Sequence, residues 1–447
     1  MAQRDSFGSG FGALLAMAGS AVGLGNLWRF PYLVGTNGGA AFIFIYLAFV
    51  FLLALPIMYS EFIIGRRSQA NVFGAYKVLA PGTKWCASGL VYVLGALFII
   101  SFYCVVGGWT INYLWKAVTF KFTTADTALL DGMFAQTVTS STEPLVFMLI
   151  FLIATAFIVM AGIKDGIERY TKVMMPVLLV IVLVVAVRSV TLPGASQGIE
   201  FLFKPDFSKV TSKTLIDALG QAFFSLSIGC GTVMTYASYV KKKENITGLA
   251  RETAIMDTLF AIIAGLAIMP AVFAFGISPA EGPGLVFVTL PYIFAQIPFG
   301  AFLAILFFFM LFIAALTSSI SQLEVIVSYL KEEFNISRKL AILLSTAVIV
   351  AFGVLCSLSQ GTLADVKIFG LNFFDFFDKT SANILLPLGG FLAVIFVGWK
   401  MKKPEVTDEL TSGGMHKLNP MFLNFVYYSI KYLAPVVVAT VLISGLI

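Results

Sequence analysis

The chain is 447 residues long, 59% hydrophobic and 12% charged, with a mean hydropathy of +0.95, whereas a soluble domain carries about a quarter charged residues. Water does not tolerate such a surface, and the apolar runs recur along the whole chain, so the composition predicts a single all-α integral membrane domain with the lipid bilayer as solvent and no soluble domain. The net charge of +6 and pI near 9.0 come without a basic tract, so the positive-inside bias of membrane loops accounts for them and nucleic acid is not an expected partner. One histidine, His416, leaves no histidine cluster for metal or catalysis. Cys86, Cys104, Cys230 and Cys356 lack metal-ligand spacing and read as small buried apolar residues. No nucleophile, base and orienter set appears, which argues against an enzyme.

In chain order, Met1 to Phe7 leads into a glycine-rich stretch without a small-residue cleavage site, so no signal peptide is expected. Eleven spans follow, at about 9–36, 39–66, 87–117, 145–162, 168–190, 214–240, 250–277, 299–330, 339–357, 376–399 and 420–446. With the N-terminus cytoplasmic, inside loops hold nineteen Lys and Arg residues and outside loops eight, with Arg29 and Lys431 inside spans. That asymmetry sets the orientation and puts the C-terminus outside. Nothing in the sequence sets the oligomeric state.

Two spans make poor lipid-facing helices. The first contains GSAVGLGNLWRFP (19–31) and the sixth FFSLSIGCGT (223–232). Broken backbone at membrane depth survives only where it lines a cavity, since freed amides and carbonyls need partners. The two stretches therefore face one site. They correspond if spans one to five (about 9–190) are laid over spans six to ten (about 214–399), the pattern of an inverted repeat with a midplane site, and the span at 420–446 stands outside it. Gly107 and Gly108 in the third span read as close-packing positions. Glu61 and Glu324 read as structural acceptors for freed amides or neighbouring side chains.

The segments AGSAVGLGNLWRFPYLVGTNGGAAF (18–42), GQAFFSLSIGCG (220–231) and AALTSSISQLE (314–324), in this order and at these repeat positions, resemble the neurotransmitter:sodium symporters over nearly the whole chain. The resemblance implies sodium-coupled uptake of a neutral amino acid by alternating access. Its eleven spans are similar to those of bacterial members, which implies the inner membrane of a bacterial cell. It implies two Na+ sites, the first built from the Ala21 carbonyl, Asn26, Ser225, Asp257 and the substrate carboxylate. The second is built from the carbonyls of Gly19, Val22 and Ala314 with the hydroxyls of Thr317 and Ser318, although hydroxyls in an apolar helix can instead bond back to their own backbone. Asp257 resembles the intramembrane carboxylate of several bacterial members, where animal members use chloride, so no chloride is expected.

For the substrate, the resemblance implies a carboxylate on the amides of Leu24 and Gly25, on Tyr103 and on the first sodium. The ammonium meets the carbonyls of Ala21 and Phe224 and the Ser227 hydroxyl. The side-chain pocket is lined by Ile99, Phe224, Cys230, Ser318 and Gln322, and the small Cys230 suggests a large aliphatic or aromatic substrate. Monoamine carriers have an aspartate at the position of Gly23, so glycine here favours amino acids over amines. The gates implied are Arg29 with Asp378, or with Asp375 as runner-up, under a Phe224 lid outside, and Arg4 with Glu332 inside. Gly166 and Pro176 resemble a family spacing that lets the fifth span unwind and release the second sodium. A sodium-dependent amino-acid sensor or a channel-like protein of the same fold stays open at this point.

Overall fold

The computed structural model describes residues 5–122, 126–279 and 285–446. Among these, nine helices are long and apolar enough to cross a membrane, and one further pair, α1 (Gly10–Ala21) and α2 (Gly25–Thr36), passes that test together across a 45° bend. The chain continues through α3 (Ala40–Ser68), the short α4 (Val72–Leu79), α5 (Cys86–Val118), the short α6 (Thr127–Thr139), α7 (Glu143–Met160) and α8 (Ile163–Val190). The second half comprises α9 (Ser196–Phe203), α10 (Ser212–Ser225), α11 (Thr232–Ala237), α12 (Ile246–Ala274), α13 (Leu285–Gln296), α14 (Gly300–Glu333), α15 (Arg338–Leu358), α16 (Phe373–Lys400), α17 (Lys403–Leu410) and α18 (Pro420–Thr440).

The expected sixth span falls on α10 and α11, of 14 and 6 residues. At 1.5 Å per residue these halves reach only about 21 and 9 Å, so neither crosses a membrane of about 30 Å alone. The expected gap between the fourth and fifth spans also shifts. Gly162 turns the chain at φ +88°, and residues 163–168 enter α8 as one wide helical turn rather than as loop.

Side-chain caps set several helix starts. Ser9 accepts from the Gly12 amide at 3.0 Å, Asn245 from Gly248 at 2.9 Å and Asn372 from Asp375 at 2.8 Å. The glycines of α5 act by size: a Cβ at Gly108 would stand 2.6 Å from the Met148 amide nitrogen, so α5 and α7 meet backbone to backbone. Helix α5 also packs along α14, and α1 is held among α8, α12 and α14. This arrangement presents the end of α1 to the inner faces of α5 and α14.

At the end of the bundle that carries the N-terminus, the helices are tied by polar contacts. Phe7 packs edge-on against Tyr236 and Tyr239, and Glu168 accepts from the Gly8 amide at 2.6 Å. The buried pair Arg66 and Glu409, 2.7 Å apart, joins α3 to α17. Beside it Lys242 donates to Asp408 at 2.9 Å, and this contact holds the Asp408 carboxyl below its usual range.

Candidate functional site

Helix α1 stops because residues 22–24 leave the helical path; Val22 is extended, and the Gly23 amide donates to Asn26 Oδ1 at 3.1 Å instead of to a carbonyl of the preceding turn. Helix α10 stops because Ser227, Gly229 and Gly231 take positive φ, which a continuing right-handed helix cannot. The backbone groups freed by the two breaks are satisfied across them. The Ser20 carbonyl accepts from Ser227 Oγ at 2.9 Å and from Ser318 Oγ at 3.1 Å, and the Gly25 carbonyl accepts from Gln221 Nε2 at 2.9 Å. Glu61 of α3 takes the Gly229 amide at 2.7 Å, and Glu324 of α14 binds Tyr239 at 2.7 Å and Arg338 at 2.5 Å, as expected of structural acceptors.

Where the breaks meet there is a cavity of about 380 Å³. Ser20, Ala21, Gly23 and Gly25 form its wall on the first break, and Phe224, Ser227 and Cys230 on the second. Ile99 and Tyr103 of α5, Ser318 and Gln322 of α14 and Leu386 of α16 complete it. Of the residues expected around a substrate, Leu24 alone is not part of this wall. Its amide donates to the Tyr103 hydroxyl at 3.2 Å, while its side chain lines a larger vestibule of about 920 Å³ with Arg29, Asp375 and Asp378. Tyr103 and Phe224 border both spaces and so form the partition between them.

An oxygen cluster lies beside the cavity. Asn26 Nδ2 donates to Asp257 Oδ1 at 2.8 Å, to the Asp257 carbonyl at 3.1 Å and to Ser225 Oγ at 3.2 Å. Ser225 Oγ donates to Asp257 Oδ2 at 2.8 Å. All three side chains are fully buried, and among the described residues Asp257 has no ion-pair partner. A buried carboxylate held by neutral donors alone is a site for a hard cation or a proton, since an uncompensated buried charge is costly.

Around the second expected ion, Gly19 and Thr317 are neighbours, with 3.5 Å from a Cβ built at Gly19 to Thr317 Cβ. The Thr317 hydroxyl points back to its own helix, at 3.0 Å from the Ala314 carbonyl and 3.2 Å from that of Ile313. Ser318 meets the Ser20 carbonyl, next along the chain to Gly19. Val22 borders an apolar cavity of about 730 Å³ together with Pro176. Gly166 lies in the wide turn at the start of α8, where a Cβ would stand 2.3 Å from the Ile158 carbonyl.

The residues of the expected outer gate share one vestibule without an ion pair between them. Among the described residues Arg29 makes no ion pair; its guanidinium lies 4.7 Å from the centre of the Phe224 ring and only shares the vestibule with Asp378 and Asp375. The guanidinium lies over an aromatic face, and its Nη1 is buried without a hydrogen-bond partner among the described residues. Of the inner pair, Arg4 lies outside the described residues, and Glu332 accepts from the Asn71 amide at 2.8 Å.

Sequence reasoning missed Tyr46, whose hydroxyl donates to Asp257 Oδ2 at 3.3 Å, and Gln221, which caps the first break. A tyrosine in the apolar run AAFIFIYLAF was the available signal, because a buried hydroxyl needs a partner. Tyr46→Phe is expected to weaken a cation held at the Asp257 cluster about tenfold, the worth of one hydrogen bond to a charged group. Sodium titration of substrate binding checks this, and an unchanged midpoint would remove Tyr46 from the site.

The two broken helices meet at one cavity, and comparisons with known proteins identify the family of this architecture. The profile of the Sodium:neurotransmitter symporter family matches residues 4–128 and 130–447. The chain is 38% identical over 436 residues to the uncharacterized sodium-dependent transporter YhdH of Bacillus subtilis, covering 98% of this chain and 96% of that one. It is 29% identical to the sodium-dependent serotonin transporter of Drosophila melanogaster over 88% of this chain and 68% of that one. Among solved structures it is similar to MhsT in complex with L-phenylalanine, with a TM-score of 0.92 and 42% identity over 99% of this chain and 100% of that one. The chain belongs to the sodium:neurotransmitter symporter family and is a sodium-dependent transporter, not an enzyme.

Proposed function

We propose that the chain imports a neutral amino acid with a hydrophobic or aromatic side chain into a bacterial cell, coupled to two sodium ions and independent of chloride. The observation that carries this reading is Asp257, a fully buried carboxylate bonded only to neutral donors and adjoining both helix breaks. It supplies fixed negative charge beside the cavity, the part that chloride plays where the residue is neutral. Gly23 supports a zwitterionic substrate: a Cβ there would stand 2.3 Å from Ser318 Oγ and 3.0 Å from the Tyr103 hydroxyl, so an aspartate does not fit without displacing them and the carboxylate is left for the substrate to bring.

In this reading the first sodium takes the Ala21 carbonyl, Asn26, Ser225, Asp257 and the substrate carboxylate, with the Asn26 amide turned so that Oδ1 faces the ion. The second takes the carbonyls of Gly19, Val22 and Ala314 once Thr317 and Ser318 rotate away from their present acceptors. The breaks at 22–24 and 226–231 belong to the first and sixth of eleven spans in a five-plus-five inverted repeat, in the inner membrane with the N-terminus in the cytoplasm. Arg29 closes over Phe224 toward Asp378 on the outside, and the α8 turn at Gly166, with Pro176, opens the inside. Two charges moving inward gain about 4.6 kcal/mol per 100 mV, enough for roughly a thousandfold accumulation.

The test is uptake of the twenty amino acids into vesicles containing the purified chain, with sodium or potassium outside and chloride replaced by gluconate. Saturable uptake of a neutral amino acid in sodium, unchanged in gluconate, is the expected result. Uptake indifferent to sodium removes the coupling mechanism, and a requirement for chloride removes the role given to Asp257.

A further inference from the structure

Gln322 follows Ser318 by one turn of α14, and both line the cavity, so Gln322 marks a point about 6 Å further along it at 1.5 Å per residue. Its amide is oriented by Cys230. The Cys230 thiol donates its single hydrogen to the Ser227 carbonyl at 3.0 Å, which leaves the sulfur only lone pairs to offer. Gln322 Nε2 donates to that sulfur at 3.4 Å, and Oε1 is thereby turned away from it. Oε1 is buried, and among the described residues nothing donates to it. Leaving a buried acceptor unmatched is costly, and a ligand that brings a donor removes the cost.

Ser318 stands at the head-group end, against the Ser20 carbonyl and beside Gly23. The rest of the wall includes Ile99, Phe224 and Leu386, so whatever fills the cavity has an apolar body. Alanine and valine are too short to reach. Leucine and phenylalanine can reach but bring no donor. Resting on the amino-acid reading above, we infer that Gln322 Oε1 is the acceptor for a donor at the substrate's tip, and that the cavity selects an amino acid ending in a phenol or an indole. A site built around such a hydrogen bond discriminates against the analogue that lacks it, because the buried acceptor is then stranded.

The test is binding to the purified full-length chain in sodium chloride of two pairs, tyrosine against phenylalanine and tryptophan against 1-methyltryptophan, for the wild type and for Gln322→Leu. The expected result is about tenfold or greater preference for the donor-bearing member of at least one pair in the wild type. In Gln322→Leu that ratio should fall to about one, and Gln322→Glu, which keeps an acceptor, should retain the preference. Equal sodium-dependent binding within both pairs overturns this inference alone, as does a preference that survives in Gln322→Leu. Should Gln322→Leu fail to fold, the wild-type ratios and Gln322→Glu decide. Absence of sodium-dependent binding of any amino acid overturns the amino-acid reading and this inference with it.

Discussion

Asp257→Asn is expected to reduce sodium-driven uptake at least about a hundredfold in chloride-free medium, with part of it returning when chloride is supplied. The carboxylate accepts from Asn26, Ser225 and Tyr46, three donors on two oxygens. An amide of the same shape presents one NH2 to that set, so at least one donor faces another donor. Losing one hydrogen bond to a charged group costs about 1.5–3 kcal/mol, and the negative charge that attracts the cation is lost as well. About 2.8 kcal/mol already amounts to a hundredfold. The measurement is initial uptake with gluconate or chloride as the anion. Chloride-free uptake at the wild-type rate would show that the carboxylate does not supply the site's charge.

Gly229→Ala is expected to destabilise the fold by more than about 3 kcal/mol, seen as a large drop in the thermal midpoint of the detergent-purified chain or as failure to accumulate. Gly229 has φ +83°, where an L side chain is strained by about 1–2 kcal/mol. Its Cβ would also stand 1.9 Å from the Leu386 carbonyl oxygen and 2.9 Å from Leu386 Cα, both main-chain atoms that no rotamer change can move. The same position donates its amide to Glu61, so a shift of the backbone to relieve the collision strands a buried carboxylate. Gly220→Ala is the control: it lies within α10, and its Cβ would meet nothing within 4 Å, so it is expected to be neutral or to stabilise by about 0.5–1 kcal/mol. If the two variants melt alike, the backbone of α16 does not press on the second break as described.

Much of this was legible along the chain because lipid imposes a simple rule: polar backbone at membrane depth must be satisfied within the protein. Glycine, asparagine and serine inside apolar runs therefore marked residues 19–31 and 223–232 as cavity-forming, and the two breaks do share one cavity. The pairing of Glu61 with the Gly229 amide follows from the same rule, and that of Glu324 with the side chains of Tyr239 and Arg338 from the cost of a lone buried charge, although their particular partners could not be read in advance. Tyr46 escaped notice because aromatic residues are ordinary in an apolar helix, and only the position of Asp257 on a distant helix gives its hydroxyl a meaning. Arg29 illustrates the reverse case. Its charge signalled a partner, yet two acidic residues and an aromatic ring all border the vestibule, and geometry selects the ring.

Residue order alone was enough to fix the solvent, the helical class, the two weak points in the helices and the chemical types gathered there, since each depends on local composition read against the thickness and dryness of a bilayer. The folded chain decided where the freed atoms point. Ser227 and Ser318 converge on one carbonyl, Thr317 turns back on its own helix, and Cys230 orients the Gln322 amide so that its oxygen stays unmatched. Such choices depend on which groups the packed helices bring within reach, some of them hundreds of residues apart in the chain, and no local pattern carries that information.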